Sequence, residues 1–172
     1  AMTLSFDVDL DTIVSVLKRF TAVEHRIEFV RDFKGVRYYN SSIDTSPNRT
    51  INTMKALKSR DEHGTIIVGG ADKKCVYDGL GDAILEVCDK IILRTGGKLN
   101  NAELVKENLK KEANGRKYEV YEVSTMEEAV SLADKISSEG EIVILSPVGT
   151  SYDHYRHFEV RGNEFKSLVL SL

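Results

Sequence analysis

Tryptophan is absent from this sequence, proline and cysteine each occur twice, and no long apolar run is present. Two cysteines, Cys75 and Cys88, are too few for a disulfide scaffold, and their spacing matches no metal-binding motif. Without a signal peptide or a run of about 20 apolar residues, neither export nor a membrane span is predicted. We therefore expect a cytoplasmic protein with no membrane partner.

The charge balance excludes a further class of partner. The formal net charge is −3 and the isoelectric point is about 5.9. Proteins that bind nucleic acid carry a basic face, so no nucleic-acid partner is expected. The four histidines are not spaced like metal ligands, and we expect no metal site in this chain.

Alternation of short apolar segments with helical stretches gives the fold class. The apolar segments TIIVGG, KIILRTGG, YEVYEV and EIVILSP are interspersed with helical periodicity over residues 47–58, 77–87, 100–113, 125–138 and 156–172. This pattern predicts an open parallel sheet with helices on both faces. Ahead of it, RIEFVRDF and VRYYN flank Lys34–Gly35 and predict a hairpin. We therefore expect a three-layer α/β/α, Rossmann-like sheet, mostly parallel, with one antiparallel edge strand.

Local signals predict where several helices begin. Residues 9–20 have helical spacing, with Asp9 as a cap. Ser46 followed by Pro47 is typical of a helix N-cap and first turn. Ser124 with Glu127 matches a capping box ahead of the 125–138 helix.

Polar loops follow the predicted strands, where open α/β sheets bind their ligands. These loops are YNSSIDTSPN (39–48), GGADKK (69–74), RTGGKLNN (94–101) and the segment 146–165. Hydroxyls, lysine and helix N-termini at one sheet edge favour an anionic ligand. Taken singly, the hydroxyls are also typical of helix caps and the glycines of turns. Neither GxxxxGK[ST] nor GxGxxG is present, so the chain supplies only part of a site for ATP chemistry.

Several motifs, taken in order, resemble a known family. They are HRIEFV at 25–30, the strand ending in YYN, SSIDTSP, GGADK and LSPxxxSYD…FExRGNxF. Together they resemble the C-terminal domain of the Mur ligases over nearly the whole chain. The resemblance implies that residues 1–24 are the end of a central ATPase domain with its linker. Residues 25–172 would form the C-terminal domain.

The resemblance also implies an activity. Mur ligases form amide bonds at the expense of ATP in the synthesis of peptidoglycan precursors, with Mg²⁺ assisting. The motifs are most similar to those of members that add D-glutamate to UDP-N-acetylmuramoyl-L-alanine. A C-terminal domain of this kind brings in the amino acid and closes over ATP, while an N-terminal domain holds the uridine nucleotide and a central domain holds most of the ATP and Mg²⁺ contacts. The complete protein would be a monomer, and the isolated domain would be inactive.

At the positions that match the family motifs, the resemblance implies which residues of this chain bind the substrates. The D-glutamate contacts would be Thr45, Lys73, Ser151 and Phe158, the last through its backbone. The nucleotide contacts would be Arg26, Asn40, Ser41 and Ile43. The resemblance implies no metal ligand and no catalytic residue within this chain.

The segment 40–46 departs from the common family string N-D-S-K-A-T-N. Ser41 stands in place of the acid, Ile43 in place of the lysine, and Asp44 in place of alanine. Two other interpretations remain open beside the D-glutamate one. The first is another amide ligase of the superfamily, either a different Mur ligase or a folylpolyglutamate-synthase-like protein. The second is a non-catalytic binding module, which an upstream GxxxxGK[ST] in the same reading frame would exclude.

Overall fold

The computed structural model describes residues 8–19, 23–97 and 100–172. Six strands form one sheet in the order β1-β2-β6-β3-β4-β5. β1 pairs with β2 in antiparallel fashion, and every other neighbouring pair is parallel. The strands are β1 (Glu28–Phe33), β2 (Val36–Asn40), β3 (Gly64–Val68), β4 (Cys88–Arg94), β5 (Glu119–Val123) and β6 (Ile142–Leu145). The predicted antiparallel edge strand is confirmed.

Helices cover both faces of the sheet, which confirms the three-layer prediction. They are α1 (Leu10–Arg19), α2 (Pro47–Lys58), α3 (Leu80–Leu85), α4 (Ala102–Glu112), α5 (Met126–Ile136) and α6 (Phe158–Leu170). Apolar residues of α2, α3 and α4 belong to the core on one face, and those of α5 and α6 to the core on the other. In the described part of the chain, no helix has the length and apolar character to cross a membrane.

The central strands divide their side chains between these two cores. Ile66 and Val68 of β3 face the α2–α4 side, whereas Ile67 between them faces α5 and α6. All three are at most 1% exposed. Burial on both faces requires a continuous apolar strand, and this is why the pattern of β3 does not alternate in polarity.

The N-terminal elements follow their local signals. The predicted hairpin turns at Lys34–Gly35, and both residues have positive φ. Asp9 caps α1, because its carboxylate accepts hydrogen bonds from the backbone N–H and the hydroxyl of Thr12. The helix predicted over 9–20 is described as far as Arg19, and Phe20 lies outside the described residues. The proposed domain boundary at residue 24 stays a prediction.

The capping box of α5 lies one residue later in the chain than the sequence pattern predicts. The sequence pattern predicts a capping box from Ser124 and Glu127, but Thr125 and Glu128 form the capping box of α5. The Thr125 hydroxyl accepts the Glu128 N–H, and the Glu128 carboxylate accepts the Thr125 N–H. The same carboxylate also accepts the Ser124 N–H at 2.7 Å. Two overlapping S/T-x-x-E patterns were present, and only the chain geometry distinguishes them.

Candidate functional site

A cavity of about 260 Å³ opens at the carboxyl ends of β2, β6 and β3, and we call it the edge cavity. Its lining residues are Thr45, Lys73, Thr150, Ser151, Tyr152, His157, Phe158 and Glu159. The four residues assigned to D-glutamate by the resemblance therefore line one cavity. Their role in binding stays a prediction, but the fold brings them together.

The loop that carries Lys73 is held against the loop that carries Ser151. Ala71 and Thr150 exchange backbone hydrogen bonds of 2.9 and 3.0 Å. A Cβ atom on Gly70 would lie 2.5 Å from the Thr150 carbonyl oxygen, so no larger residue allows this approach. Gly149 is restricted in the same way, because its Cβ would lie 2.8 Å from the Ala71 carbonyl oxygen. Both glycines therefore serve close packing of the two loops.

The N-terminus of α6 forms another wall of the edge cavity. The helix begins at Phe158, and the N-cap residue His157 makes no side-chain hydrogen bond to the first turn. The first N–H groups of a helix lack partners within the helix and carry partial positive charge. Lys73 adds a full positive charge and Ser151 a hydroxyl, so this part of the cavity suits a carboxylate. Glu159 adds one negative charge among the lining residues.

A buried arginine links the loop after β2 to the loop after β6. Arg161 is fully buried and donates to the hydroxyl and carbonyl oxygens of Ser42 and to the carbonyl oxygen of Gly149. Burial, followed by the like charge of Arg94, lowers the pKa of Arg161 to about 10. The guanidinium therefore remains charged at neutral pH. This role was not predicted, although FExRGNxF places the arginine one helical turn after Phe158.

A second cavity, of about 280 Å³, lies beside α2, and we call it the α2 cavity. Its lining residues are Arg26, Ile27, Ile43, Asp44, Arg49, Asn52 and Thr53. Arg26 and Ile43, two of the four residues assigned to the nucleotide, therefore meet here. The positive charges of Arg26 and Arg49 suit an anionic group such as a phosphate.

The other two residues assigned to the nucleotide are buried and line neither cavity. Asn40 donates to Glu28 at 3.0 Å, pairs with the His25 ring at 2.9 Å and accepts the N–H of Ser42. The Ser41 hydroxyl accepts the N–H of Ile27. Both side chains thus hold the 25–28 segment against the end of β2. A direct nucleotide contact by either stays a prediction.

Asp44, the acid that stands where the family string has alanine, is buried and hydrogen-bonded. Asp44 is 3% exposed, and its Oδ2 accepts hydrogen bonds from Thr53 and Ser146, each at 2.8 Å. Burial raises the pKa of the Asp44 carboxyl, and the hydrogen bonds from Ser146 and Thr53 oppose that rise. Asp44 therefore ties the β2–α2 loop to the residue that follows β6.

These residues do not suit a metal ion. Among the described residues, no three His, Cys, Asp or Glu side chains lie close enough together to hold one. Asp44 is the single acid among the described residues that line the α2 cavity, and two hydroxyls already occupy one of its oxygens.

Comparison with known proteins identifies similar sequences. Residues 25–149 match the family model described as "Mur ligase, glutamate ligase domain". The chain is 40% identical over 167 residues to UDP-N-acetylmuramoylalanine–D-glutamate ligase of Acetivibrio thermocellus, covering 96% of this chain and 35% of the relative. It is 38% identical over 172 residues to the enzyme of the same name from Ruminiclostridium cellulolyticum, covering 100% of this chain and 36% of the relative. The chain thus spans about a third of the length of these relatives.

Solved structures resemble the fold at low sequence identity. UDP-N-acetylmuramate-alanine ligase from Thermotoga maritima matches with a TM-score of 0.63 and 16% identity, over 99% of this chain and 35% of that one. A bifunctional folylpolyglutamate synthase/dihydrofolate synthase from Yersinia pestis, complexed with AMPPNP and a manganese ion, matches with a TM-score of 0.59 and 15% identity. That match covers 88% of this chain and 32% of the other. At such identities the similarity establishes the fold alone.

Proposed function

The chain belongs to the Mur ligase family, and we propose that it is the amino-acid-binding and closing domain of a D-glutamate ligase. In the proposed reaction, ATP phosphorylates the carboxylate of UDP-N-acetylmuramoyl-L-alanine and leaves as ADP. The amine of D-glutamate then attacks the acyl phosphate, an amide bond forms, and inorganic phosphate leaves. The ATP and Mg²⁺ contacts would come mainly from a central domain, and the UDP-sugar contacts from an N-terminal domain.

The observation that carries this proposal is the lining of the edge cavity. Lys73, Ser151 and Thr45 come from three separate loops, and the start of α6 at Phe158 meets them in one cavity. We infer that the side-chain carboxylate of D-glutamate binds among these donors, because a lysine, hydroxyls and unpaired N–H groups all favour a carboxylate.

The carbonyl oxygen of Phe158 is not free for this purpose. It accepts the Ser42 hydroxyl at 2.7 Å, so the Phe158 N–H is the group that would bind the substrate. This supports the expected backbone contact and assigns it to the amide nitrogen. Glu159, the next residue of α6, also lines the cavity, and we propose that its negative charge attracts the amino group of the substrate.

The α2 cavity fits a role toward ATP. Arg26 and Arg49 line it together, and the chain contains no GxxxxGK[ST] loop of its own. We propose that Arg26 reaches the nucleotide phosphates when the domain closes. Binding of the phosphates by a loop on another domain and by Arg26 would join the two domains in the closed form.

The sequence relatives favour D-glutamate over the two alternatives. Both described relatives at 38–40% identity are D-glutamate ligases by name. The folylpolyglutamate synthase resembles the chain only in its fold.

The proposal is tested with the complete protein, ATP, Mg²⁺ and UDP-N-acetylmuramoyl-L-alanine. We expect ADP, phosphate and amide product with D-glutamate, and far less product with D-glutamine, which lacks the side-chain charge. L-glutamate and meso-diaminopimelate serve as controls for stereochemistry and for a second amino group. Product formation with diaminopimelate instead of D-glutamate, or no ATP consumption with any of them, would contradict the proposal.

A further inference from the structure

A buried ion pair joins the two loops that carry Lys73 and Ser151, and neither of its residues lines the edge cavity. Arg94, the last residue of β4, donates from Nη2 to Asp153 Oδ2 at 3.0 Å, and the two side chains are 3% and 0% exposed. The same nitrogen lies 3.4 Å from the carbonyl oxygen of Gly69. The guanidinium also lies over the ring of Tyr155, 5.4 Å from its centre. One side chain therefore contacts the β3–α3 loop and the β6–α6 loop together.

Each loop carries a residue of the edge cavity close to the contact with Arg94. Gly69 precedes Lys73 by four residues, and Asp153 follows Ser151 by two. The carbonyl oxygen of Ser151 accepts the N–H of Tyr155 at 2.7 Å, which closes a turn over residues 151–155. On its other side, Ser151 follows the backbone pairing of Thr150 with Ala71. Ser151 is thus fixed between that pairing and the turn that Arg94 anchors.

We propose that Arg94 is a positioning residue that acts through Asp153 to set the separation of Lys73 and Ser151 in the edge cavity. This rests on the proposed function, since the ligand positioned is the carboxylate of D-glutamate. Arginine suits the role because its planar group offers several fixed donors, whereas lysine offers one point charge. Hydrogen bonds weaken steeply when their distance and angle leave the preferred range, so a shift of Lys73 relative to Ser151 weakens the binding of a carboxylate held by both.

The test compares two double variants of the complete protein. Arg94→Met with Asp153→Ala removes both charges together, which avoids an unpaired charge in the core. Lys90→Met with Glu141→Ala is the matched control, because Lys90 lies four residues before Arg94 on β4 and pairs with Glu141 at 2.7 Å, with side chains 18% and 13% exposed. We expect the first variant to raise the KM for D-glutamate about tenfold, the effect of weakening about one hydrogen bond to the carboxylate, with kcat and the other two KM values changed less than about twofold. The control should leave all of these values unchanged.

A second readout needs no ligand. In the 172-residue chain, amide hydrogen exchange at Tyr155 reports the hydrogen bond to Ser151 directly. We expect faster exchange at Tyr155 in Arg94→Met/Asp153→Ala, with β3 and β6 amides unchanged, and no such effect in the Lys90/Glu141 variant. If the double variant fails to fold, Arg94→Lys takes its place in the test, because it keeps the charge pair. We expect Arg94→Lys to change the D-glutamate KM and the exchange at Tyr155 in the same direction but by less.

The two readouts separate the inference from the proposed function. If the wild-type protein makes no product from D-glutamate, the proposed function fails, and hydrogen exchange still decides whether Arg94 holds the turn. Unchanged exchange at Tyr155, or a D-glutamate KM within about twofold of wild type in a folded variant that lacks Arg94, would overturn the positioning role.

Discussion

The hydroxyl of Ser42 donates a 2.7 Å hydrogen bond to the backbone carbonyl oxygen of Phe158. Ser42 is held in turn by Arg161, which donates to both of its oxygens. The loop after β2 and the first turn of α6 are therefore linked through one buried guanidinium. Because the first residues of α6 line the edge cavity, this link connects the interior of the domain to the geometry of the candidate site.

Replacing Arg161 with leucine should destabilise the domain strongly. The carbonyl oxygens of Ser42 and Gly149 would lose their donor in a region closed to water. Leaving buried polar groups unpaired costs about 1–3 kcal/mol each, so we expect a loss of about 3 kcal/mol in the free energy of unfolding. Urea denaturation measures it. Arg156→Leu, at an exposed position of the preceding loop, should change stability by less than about 0.5 kcal/mol. A similar small loss for Arg161→Leu would refute the structural role.

At Val148, substitution by glycine should destabilise the domain less than substitution by alanine, the reverse of the usual order. The φ of Val148 is +65°, in the left-handed region, which is unfavourable for a β-branched residue. The side chain is 1% exposed. That conformation costs a non-glycine residue about 1–2 kcal/mol. Both Val148→Ala and Val148→Gly lose apolar contacts, but only glycine also relieves the backbone. We expect Val148→Gly to be less destabilising than Val148→Ala, by about 1 kcal/mol in urea denaturation.

Val143 provides the matched comparison for Val148. It is equally buried but lies within β6, where the backbone is extended. Glycine in a strand interior adds an entropic cost, so Val143→Gly should be more destabilising than Val143→Ala. The same order at both positions would show that Val148 carries no backbone strain.

The stability of the domain should depend on pH through Asp44. Burial raises the pKa of this carboxyl above its unfolded value, so between the two values the folded state holds more protons than the unfolded state. Stability contributed by the protonated form is then present below the unfolded pKa and lost as pH rises through the folded pKa. Asp44→Asn keeps an oxygen for Ser146 and Thr53 but does not titrate.

We therefore expect the stability of Asp44→Asn relative to wild type to increase from pH 4 to pH 7. Urea denaturation at several pH values measures the difference, and exposed Asp89→Asn serves as the control. A difference that shrinks as pH rises would mean that Asp44 is stabilised as the carboxylate, contrary to the pKa argument.

The isolated 172-residue chain should neither hydrolyse ATP nor form an amide bond. Phosphoryl transfer depends on a phosphate-binding loop and a positioned metal ion, and GxxxxGK[ST] is absent from the sequence. Phosphate release is measured with ATP, Mg²⁺ and both other substrates, and the complete protein is the positive control. Turnover by the pure chain above the background without protein would contradict the assignment of ATP chemistry to another domain.

The fold was predictable because its signals are local and agree with one another. Continuous apolar runs such as that of β3, followed by helical periodicity, allow few arrangements other than a parallel sheet covered on both faces. The convergence of Lys73 and Ser151 also followed, since neighbouring parallel strands end at one edge. The prediction placed the capping box one residue too early, because Ser124 and Thr125 both satisfy the pattern. Only the backbone conformation at the start of α5 shows that Thr125 is the N-cap.

The supporting contacts were not predictable from sequence. The bonds of Arg161 to Ser42 span 119 residues, and the Arg94–Asp153 pair spans 59. Nothing in the local pattern distinguishes these buried charges from exposed ones. The role of Asp44 was likewise not predictable, because the sequence shows only that an acid stands where the family string has alanine. Its hydrogen bonds to Thr53 and Ser146 place it in the interior.

The central claim is that the edge cavity binds the D-glutamate carboxylate through Lys73. The most direct test is the KM for D-glutamate in the complete protein carrying Lys73→Ala, with Lys74→Ala as the control. Lys73 lines the cavity, whereas its exposed neighbour Lys74 does not belong to the lining. A hydrogen bond to a charged group is worth about 1.5–3 kcal/mol, so Lys73→Ala should raise this KM roughly ten- to hundredfold. Ser151→Ala should raise it less, and the KM for the UDP-sugar should not change. An unchanged D-glutamate KM in both Lys73→Ala and Ser151→Ala, or equal effects of Lys73→Ala and Lys74→Ala, would contradict the assignment of the cavity.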